Sequence, residues 1–193
     1  MDEKFKKPYD PTETESRIYK TWEESGYFNP DNLPGERTEA FTITLPPPNV
    51  TGVLHLGHAY EDSLQDAVIR FERMRGKRAL WVPGTDSAAI ATQSRVEKNI
   101  QKDEGKSRHD IGREELVRRV TAFAKESETT ILNQVRRMGA SLDWSRYAFT
   151  LDDKRNRAVF TAFKRMHDAG LIYRGNRIVN WDPKGQTTIS DDE

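Results

Sequence analysis

The stretch FTITLPPPNVTGVLHLGHA, residues 41–59, decides the fold of this chain. Phe41, Ile43 and Leu45 alternate with threonines, which is the period of a β-strand with one buried face. The prolines at 46–48 end this strand, because proline has no N–H to donate to a ladder. The sequence therefore predicts a strand that gives way to a turn just before two histidines.

A helix and a second strand follow the turn. Leu64, Val68 and Phe71 share one face of the helix, which we expect to end at Gly76. The next run, Ala79-Leu80-Trp81-Val82, is short and apolar, as buried parallel strands are. Strand, helix and strand in this order predict an α/β fold with parallel strands joined by a right-handed crossover.

Residues 1–40 are predicted to form an N-terminal helical appendage. Thr12 and Glu15 have the spacing of a capping box, which predicts a helix from about Glu13 to Ser25 that stops at Gly26.

The second half of the chain is predicted to be mostly helical. Two amphipathic patterns predict helices that end at Gly139 and at Gly170. Apolar runs at 171–173 and 178–181 predict two strands, and the chain then stops at Glu193 without a closing element. We therefore expect that the 193 residues are part of a longer chain.

Composition excludes several classes of protein. With 31 Lys and Arg against 31 Asp and Glu the formal net charge is zero, so binding of nucleic acid mainly by charge is not expected. The absence of cysteine excludes a disulfide framework and a thiolate zinc site, and fits the cytoplasmic location that we expect. No run of 18 apolar residues and no apolar leader is present, so no membrane partner is predicted.

His55 and His58 stand at the predicted start of the first helix, with Gly57 between them. A helix N-terminus offers free N–H groups and a partial positive charge, and imidazole N–H groups beside it can donate to phosphate oxygens. A flat base could lie against the backbone of Gly57, which lacks a Cβ. The alternatives are ordinary surface histidines or a metal pair. Ligand histidines on a helix are typically four residues apart, and the sequence offers no evident third ligand.

The run PPPNVTGVLHLGHA, residues 46–59, resembles the HIGH signature of class I aminoacyl-tRNA synthetases, in the form that their valine-specific members carry. Other segments resemble the same family in the same order, namely Trp81-Val82-Pro83-Gly84-Thr85-Asp86, Ile90-Ala91-Thr92-Gln93, Gly112-Arg113-Glu114-Glu115, residues 138–146 and residues 179–184. The resemblance covers almost the whole chain, which makes it far more specific than any one motif.

This resemblance implies an ATP-dependent ligase that activates valine as valyl-adenylate and transfers it to tRNA(Val). It implies that His55 and His58 are catalytic and contact the ATP phosphates, with Gly57 and Thr51 as further ATP-binding residues. Magnesium is expected to accompany ATP because it offsets phosphate charge, and no protein-bound metal and no DNA partner are predicted.

The amino-acid site is implied to contain Pro47, Asn49 and Asp86. Pro47 would be an apolar wall, and Asp86 would accept the α-ammonium group in a charge-assisted hydrogen bond. The alternative for Pro47 is a strand stop, and for Asp86 it is an N-cap of a helix that starts near Ser87.

The family resemblance also implies the extent of the domain. Residues 41–193 would be the N-terminal half of a Rossmann-like catalytic domain, ending where an editing insertion starts. They would hold the HIGH half of the active site, with the C-terminal half required for full activity. Three residues depart from the family pattern: Ser87 and Ala89 replace a histidine and a glycine, and Asp182 replaces a cysteine, so no metal role is assigned there.

Three other functions stay open at this point. One is another nucleotidyl-transfer enzyme that shares the H-x-G-H helix start. The second is a non-catalytic, truncated module that binds a nucleotide, RNA or a partner protein. The third is an isoleucine-specific synthetase, because the two substrates differ by about one methylene, worth roughly 1–3 kcal/mol.

Overall fold

The computed structural model describes residues 8–190, so residues 1–7 and 191–193 of the predicted domains lie outside the described residues. The chain divides into two units, with the boundary in the sequence between residues 152 and 153. The first unit contains α1 (Pro11–Glu24), β1 (Ala40–Thr44), α2 (Leu56–Met74), β2 (Arg78–Val82), β3 (Gly84–Thr85), α3 (Ala89–Glu104), α4 (Arg108–Arg137) and β4 (Ala148–Phe149). The second unit contains α5 (Asp153–Asp168), β5 (Asn180–Asp182) and β6 (Thr187–Ile189).

The predicted strand–helix–strand unit is present as β1, α2 and β2. The two strands are parallel, with Ala40 opposite Arg78 and Thr44 opposite Val82. The strand β3 pairs in parallel with β4 in the same way. These pairs confirm the predicted α/β fold with parallel strands.

The core lies where β2, α2 and α4 meet. Trp81 is fully buried at its centre, and its indole N–H donates to Oε1 of Gln65 on α2 at 3.0 Å. A buried tryptophan N–H needs such a partner, so this bond fixes α2 on the sheet. The other buried members of the cluster are Leu45, Val50, Ile69, Ile131, Val135, Ala140 and Leu142.

The apolar face that the sequence predicts for α2 does not face this core. Leu64, Val68 and Phe71 are 52%, 43% and 52% exposed. The opposite, more polar face contributes the buried Ile69 to the core, and its half-buried Asp66 and Arg73 are hydrogen-bonded to the segment that follows α4. Asp66 accepts from the backbone N–H of Ser141 at 3.0 Å, and Arg73 donates to the carbonyl of Ser141 at 2.8 Å. Satisfied polar groups can be buried as well as apolar ones.

The helix α1 is capped by a different residue from the one predicted. The carboxylate of Asp10 accepts the backbone N–H of Thr12 at 2.8 Å, and Pro11 occupies the first helical position. The predicted capping box of Thr12 and Glu15 is therefore wrong. Proline at the first position and aspartate before it form an equally good start, because proline lacks the N–H that would go unsatisfied there.

The same helix packs on the segment after α4. The hydroxyl of Tyr19 donates to the carbonyl of Ala140 at 2.9 Å and accepts from the indole N–H of Trp144 at 2.8 Å. The predicted stop at Gly26 is confirmed by its φ of +72°. The boundary that the sequence predicts at residue 40 stays a prediction.

The helix α4 carries a kink at Gly112, where φ is +78°, and Gly139 follows its end at φ +80°, as predicted. In the second unit α5 is followed by Gly170 at φ +69°. Here one strand prediction is wrong, since residues 171–173 form no strand. A strand needs a second strand to satisfy its backbone hydrogen-bonding groups. The available strand of this unit, β6, pairs with β5 over Asn180–Asp182 and not with residues 171–173.

Within residues 8–190, no helix combines the length and apolar character that crossing a bilayer requires.

Candidate active site

Two loops at the carboxyl ends of β1 and β2 are joined by backbone hydrogen bonds. The N–H of Val50 donates to the carbonyl of Asp86 at 2.9 Å, and the N–H of Asp86 donates to the carbonyl of Pro48 at 2.9 Å. Asn49 and Asp86 thereby form an isolated parallel bridge. The carboxyl ends of parallel strands are where α/β proteins bind their ligands.

This bridge brings together the three residues predicted for the amino-acid site. Asn49 and Asp86 lie side by side, and Pro47 is two residues before Asn49 on the same loop. Pro47 also lies next to Gly84, because a Cβ added at Gly84 would come within 3.7 Å of the Cβ of Pro47. Pro47 and Asn49 are exposed, so both are accessible to a ligand.

His55 and His58 cap the N-terminus of α2. Nδ1 of His55 accepts the backbone N–H of Gly57 at 3.1 Å, and Nδ1 of His58 accepts the backbone N–H of His55 at 3.2 Å. The two rings lie against each other with centroids 3.8 Å apart. Histidine therefore takes the place that serine or aspartate usually holds at a helix start.

These contacts fix which ring nitrogen carries the proton. Because Nδ1 of each ring accepts a backbone N–H, the neutral rings carry their proton on Nε2. Burial, followed by the charge of the adjacent His55, lowers the pKa of His58 below its usual 6.5. Each ring can therefore present an Nε2–H donor, and His55 is exposed to solvent.

Gly57 allows the two rings to sit in this way. A Cβ at position 57 would lie 2.9 Å from Cε1 of His55, closer than side-chain atoms approach each other. Any other residue would displace the capping imidazole. This contact is a second reason for glycine, besides the prediction that a base lies against its backbone, which stays a prediction. Thr51, predicted to bind ATP, lies half-buried in the turn before the helix.

Gln134 on α4 holds the loop in front of His55. Its Oε1 accepts the backbone N–H of Leu54 at 2.9 Å. This contact could not be predicted from a local pattern, because the two residues are 80 positions apart. Without Gln134, the backbone N–H of Leu54 would need water as its hydrogen-bond acceptor.

Asp86 makes a side-chain contact that the sequence did not indicate. The hydroxyl of Thr150, directly after β4, donates to Oδ1 of Asp86 at 2.8 Å. Asp86 is not an N-cap, since α3 begins at Ala89 with Ala88 before it and has no side-chain cap. The alternative explanation of Asp86 as a helix cap is therefore wrong.

Thr85, the residue before Asp86, is buried and is held by a series of hydrogen bonds through Tyr147 to Glu128. The hydroxyl of Tyr147 donates to Oε1 of Glu128 at 2.5 Å and therefore accepts from the hydroxyl of Thr85, also at 2.5 Å. Burial and the adjacent Glu128 raise the pKa of Tyr147 above its usual 10. These hydrogen bonds connect β3 to α4 and restrict the movement of the segment that carries Asp86.

Two residues after Asp86 the backbone is strained. Ala88 has φ +50° and Ala89 has φ +29°, in the region that favours glycine. Ala89 is one of the positions where the family resemblance leads us to expect glycine. The departure thus has a conformational cost, while the carboxylate of Asp86 keeps its contact with Thr150.

The fold and these two groups of residues agree with one family of enzymes. The family model for class I tRNA synthetases of the I, L, M and V type matches residues 17–193. The chain belongs to this family. The family predicted from the HIGH-like run is thereby confirmed.

The chain is also similar to two curated proteins that are both described as valine–tRNA ligases. It is 49% identical over 192 residues to the valine–tRNA ligase of Chlamydia muridarum (strain MoPn / Nigg), covering 100% of this chain and 20% of that protein. It is 50% identical over 183 residues to the valine–tRNA ligase of Acinetobacter baylyi, covering 95% of this chain and 18% of that protein. The chain spans about one fifth of the length of the curated relatives it matches.

A solved structure has the same fold. The ternary complex of Agrobacterium radiobacter K84 agnB2 LeuRS with tRNA and LeuAMS superposes with a TM-score of 0.77 at 22% identity. The match covers 96% of this chain and 22% of that one. The prediction of a class I catalytic domain fragment is thereby confirmed for the fold.

Proposed function

We propose that this chain supplies the ATP-phosphate and amino-acid contacts of a valine–tRNA ligase. In the proposed reaction a carboxylate oxygen of valine attacks the α-phosphorus of ATP, and pyrophosphate leaves. The resulting valyl-adenylate then passes its acyl group to a terminal ribose hydroxyl of tRNA(Val), and AMP leaves. The proposal extends to the whole enzyme, of which about one fifth is matched by these residues.

The observation that carries this proposal is the orientation of His55 and His58. Backbone N–H groups occupy both Nδ1 atoms, so two Nε2–H donors are available at the N-terminus of α2. We propose that they donate to oxygens of the ATP phosphates, together with Thr51, and that Gly57 supports the adenine. Donors that are fixed before the reaction need no reorganisation when negative charge develops in the transition state.

We propose the bridge between the two loops as the amino-acid site. Asp86 would accept the α-ammonium group, Asn49 would add a polar contact, and Pro47 would contact the apolar side chain. The hydrogen bonds of Val50 and Asp86 hold these three residues close to one another. An apolar wall alone discriminates weakly between valine, isoleucine and threonine, which is why the test below compares all three.

Magnesium enters the proposal with ATP. Within residues 8–190, no three side chains of His, Cys, Asp or Glu are grouped so as to hold a metal ion. We therefore assign the ion to the phosphates of the substrate, where it would offset their charge.

ATP–pyrophosphate exchange on this chain, with valine, isoleucine, threonine or no amino acid, tests the proposal. We expect slow exchange that depends on valine and exceeds that with isoleucine. His55→Ala and His58→Ala are expected to lower it by about 10²–10³-fold each, the usual cost of losing one transition-state donor. His109→Ala is the matched control, because His109 is an exposed histidine of α4 and takes no part in capping α2.

The outcomes separate the remaining alternatives. Exchange that needs no amino acid would contradict a synthetase and favour another nucleotidyl-transfer enzyme. Faster exchange with isoleucine would contradict the assignment of valine. Absence of exchange with every amino acid would contradict activity of this chain by itself and favour a binding module or a need for further residues.

A further inference from the structure

Thr150 occupies a particular place at the edge of the short sheet. In the parallel pair of β3 and β4, Gly84 is opposite Ala148 and Thr85 is opposite Phe149. One residue further along both strands are Asp86 and Thr150. The ends of the two parallel strands therefore place the carboxylate of Asp86 and the hydroxyl of Thr150 next to each other, beside the loop of Asn49.

The hydroxyl of Thr150 is fixed by two hydrogen bonds. It accepts the backbone N–H of Ser87 at 2.9 Å and donates its single proton to Oδ1 of Asp86 at 2.8 Å. The backbone N–H of Thr150 donates in turn to the carbonyl of Thr85 at 3.1 Å. A carboxylate oxygen can only accept, so the single proton of the hydroxyl is the one shared with Asp86, while the hydroxyl oxygen accepts from Ser87.

The other oxygen of Asp86 stays available. Among residues 8–190, Oδ2 of Asp86 has no hydrogen-bond partner, whereas Oδ1 is held by Thr150. A carboxylate held by one oxygen presents the other in a defined direction. A preset acceptor strengthens the binding of an ammonium group, because ordering a free side chain during binding costs conformational entropy.

We propose that Thr150 is a positioning residue, which orients the carboxylate of Asp86 towards the α-ammonium group of the substrate. The inference rests on the proposed function, since it requires Asp86 to bind an amino acid. Thr150 does not touch the substrate in this account and acts only through Asp86. The hydrogen-bonded groups of Thr85, Tyr147 and Glu128 keep the neighbouring segment in place, so the hydroxyl of Thr150 holds only Oδ1 of Asp86 and the backbone N–H of Ser87.

The test follows ligand binding to the full 193-residue chain through backbone amide shifts in NMR spectra. Three ligands are titrated separately: valine, the valine analogue with a hydroxyl in place of the ammonium group, and ATP. Thr150→Val removes the hydroxyl at nearly constant shape, and Thr150→Ser restores it. Thr129→Val is the matched control, because Thr129 is an exposed residue of α4 that bonds only within its helix.

We expect Thr150→Val to weaken valine binding by roughly tenfold, the usual effect of a hydrogen bond to a charged group. Thr150→Ser and Thr129→Val should bind valine as the unaltered chain does. Binding of ATP and of the hydroxyl analogue should be the same in all variants, since neither uses the ammonium contact. A role limited to folding would instead weaken all three ligands together.

Two results would overturn the inference in distinguishable ways. If Thr150→Val binds valine as tightly as the unaltered chain, or weakens the hydroxyl analogue equally, the positioning role is wrong and the proposed function stands. If the unaltered chain responds to ATP but to no amino acid, the amino-acid site proposed around Asp86 is wrong, and the role of Thr150 falls with it.

Discussion

The backbone N–H of His55 donates to Nδ1 of His58, and the two imidazole rings lie with their centroids 3.8 Å apart. In each ring, Nδ1 is hydrogen-bonded to the backbone at the start of α2, and Nε2 is available to a ligand. The same two side chains stabilise the helix and supply the donors. Substitutions can separate these two contributions, because other residues can cap a helix without an imidazole.

His55→Asn is expected to keep the helix start and lose the phosphate donor, because asparagine is a good N-cap but its amide does not reach as far as Nε2. His55→Ala should lose both the helix cap and the phosphate donor. Loss of the cap is expected to lower the free energy of unfolding by about 1 kcal/mol. Thermal unfolding and ATP affinity measured on both variants check this. Equal ATP affinity of His55→Asn and the unaltered chain would contradict a phosphate contact.

Asp62 on α2 is only 5% exposed, and burial raises its pKa from 3.8 to about 6, helped by Glu61 and Asp66. The folded protein therefore binds the proton more tightly than the unfolded chain. This contribution to stability is complete below about pH 4 and is lost as the pH rises through 6.

Asp62→Asn should consequently be more stable than the unaltered chain at pH 7, by on the order of 1–3 kcal/mol, and equally stable at pH 4. Denaturant unfolding at both pH values measures the difference. Asp103→Asn, at an exposed carboxylate of α3, is the control that should show no such change. A difference between Asp62→Asn and the unaltered chain that does not vary with pH would contradict this account.

Ala89 adopts a φ of +29°, which is unfavourable for any residue with a Cβ. Ala89→Gly should therefore raise the free energy of unfolding by about 1 kcal/mol. Ala91→Gly, two residues further into α3, should lower it, because glycine is a poor helix former at ordinary helical angles. Destabilisation of the chain by both substitutions, measured by denaturant unfolding, would show that position 89 is not strained.

Gln134 holds the N–H of Leu54, so Gln134→Ala should expose this amide. We expect hydrogen exchange at Leu54 to become roughly tenfold faster, which corresponds to about 1.4 kcal/mol for the lost bond. Asn133→Ala, at the exposed neighbouring position, is the control. Unchanged exchange at Leu54 in Gln134→Ala would mean that another group protects the loop.

The local part of the fold could be predicted from the sequence. The alternation of Phe41 and Ile43 with threonines and the prolines after them fix β1, and Gly76 marks the end of α2. Such signals lie within a few residues of the feature they predict. The site histidines are of the same kind, because His55 and His58 are three residues apart and at a predicted helix start.

The contacts that hold the site could not be predicted in this way. Gln134 reaches Leu54 from 80 residues away, and Thr150 reaches Asp86 from 64. The buried face of α2 was also predicted wrongly. The inward face carries the buried Ile69 together with the half-buried Asp66 and Arg73, whose polar groups are hydrogen-bonded to Ser141. Partners that are distant in sequence leave no local pattern, so only the folded chain identifies them.

The central claim is that Nε2 of His55 and of His58 faces the phosphates of ATP. Long-range ¹H–¹⁵N spectra of the imidazole rings, recorded while ATP is added, test it most directly. We predict that both rings are protonated on Nε2, and that ATP shifts these two Nε2 resonances but not those of His109. Protonation on Nδ1, or an ATP response confined to other histidines, would contradict the account.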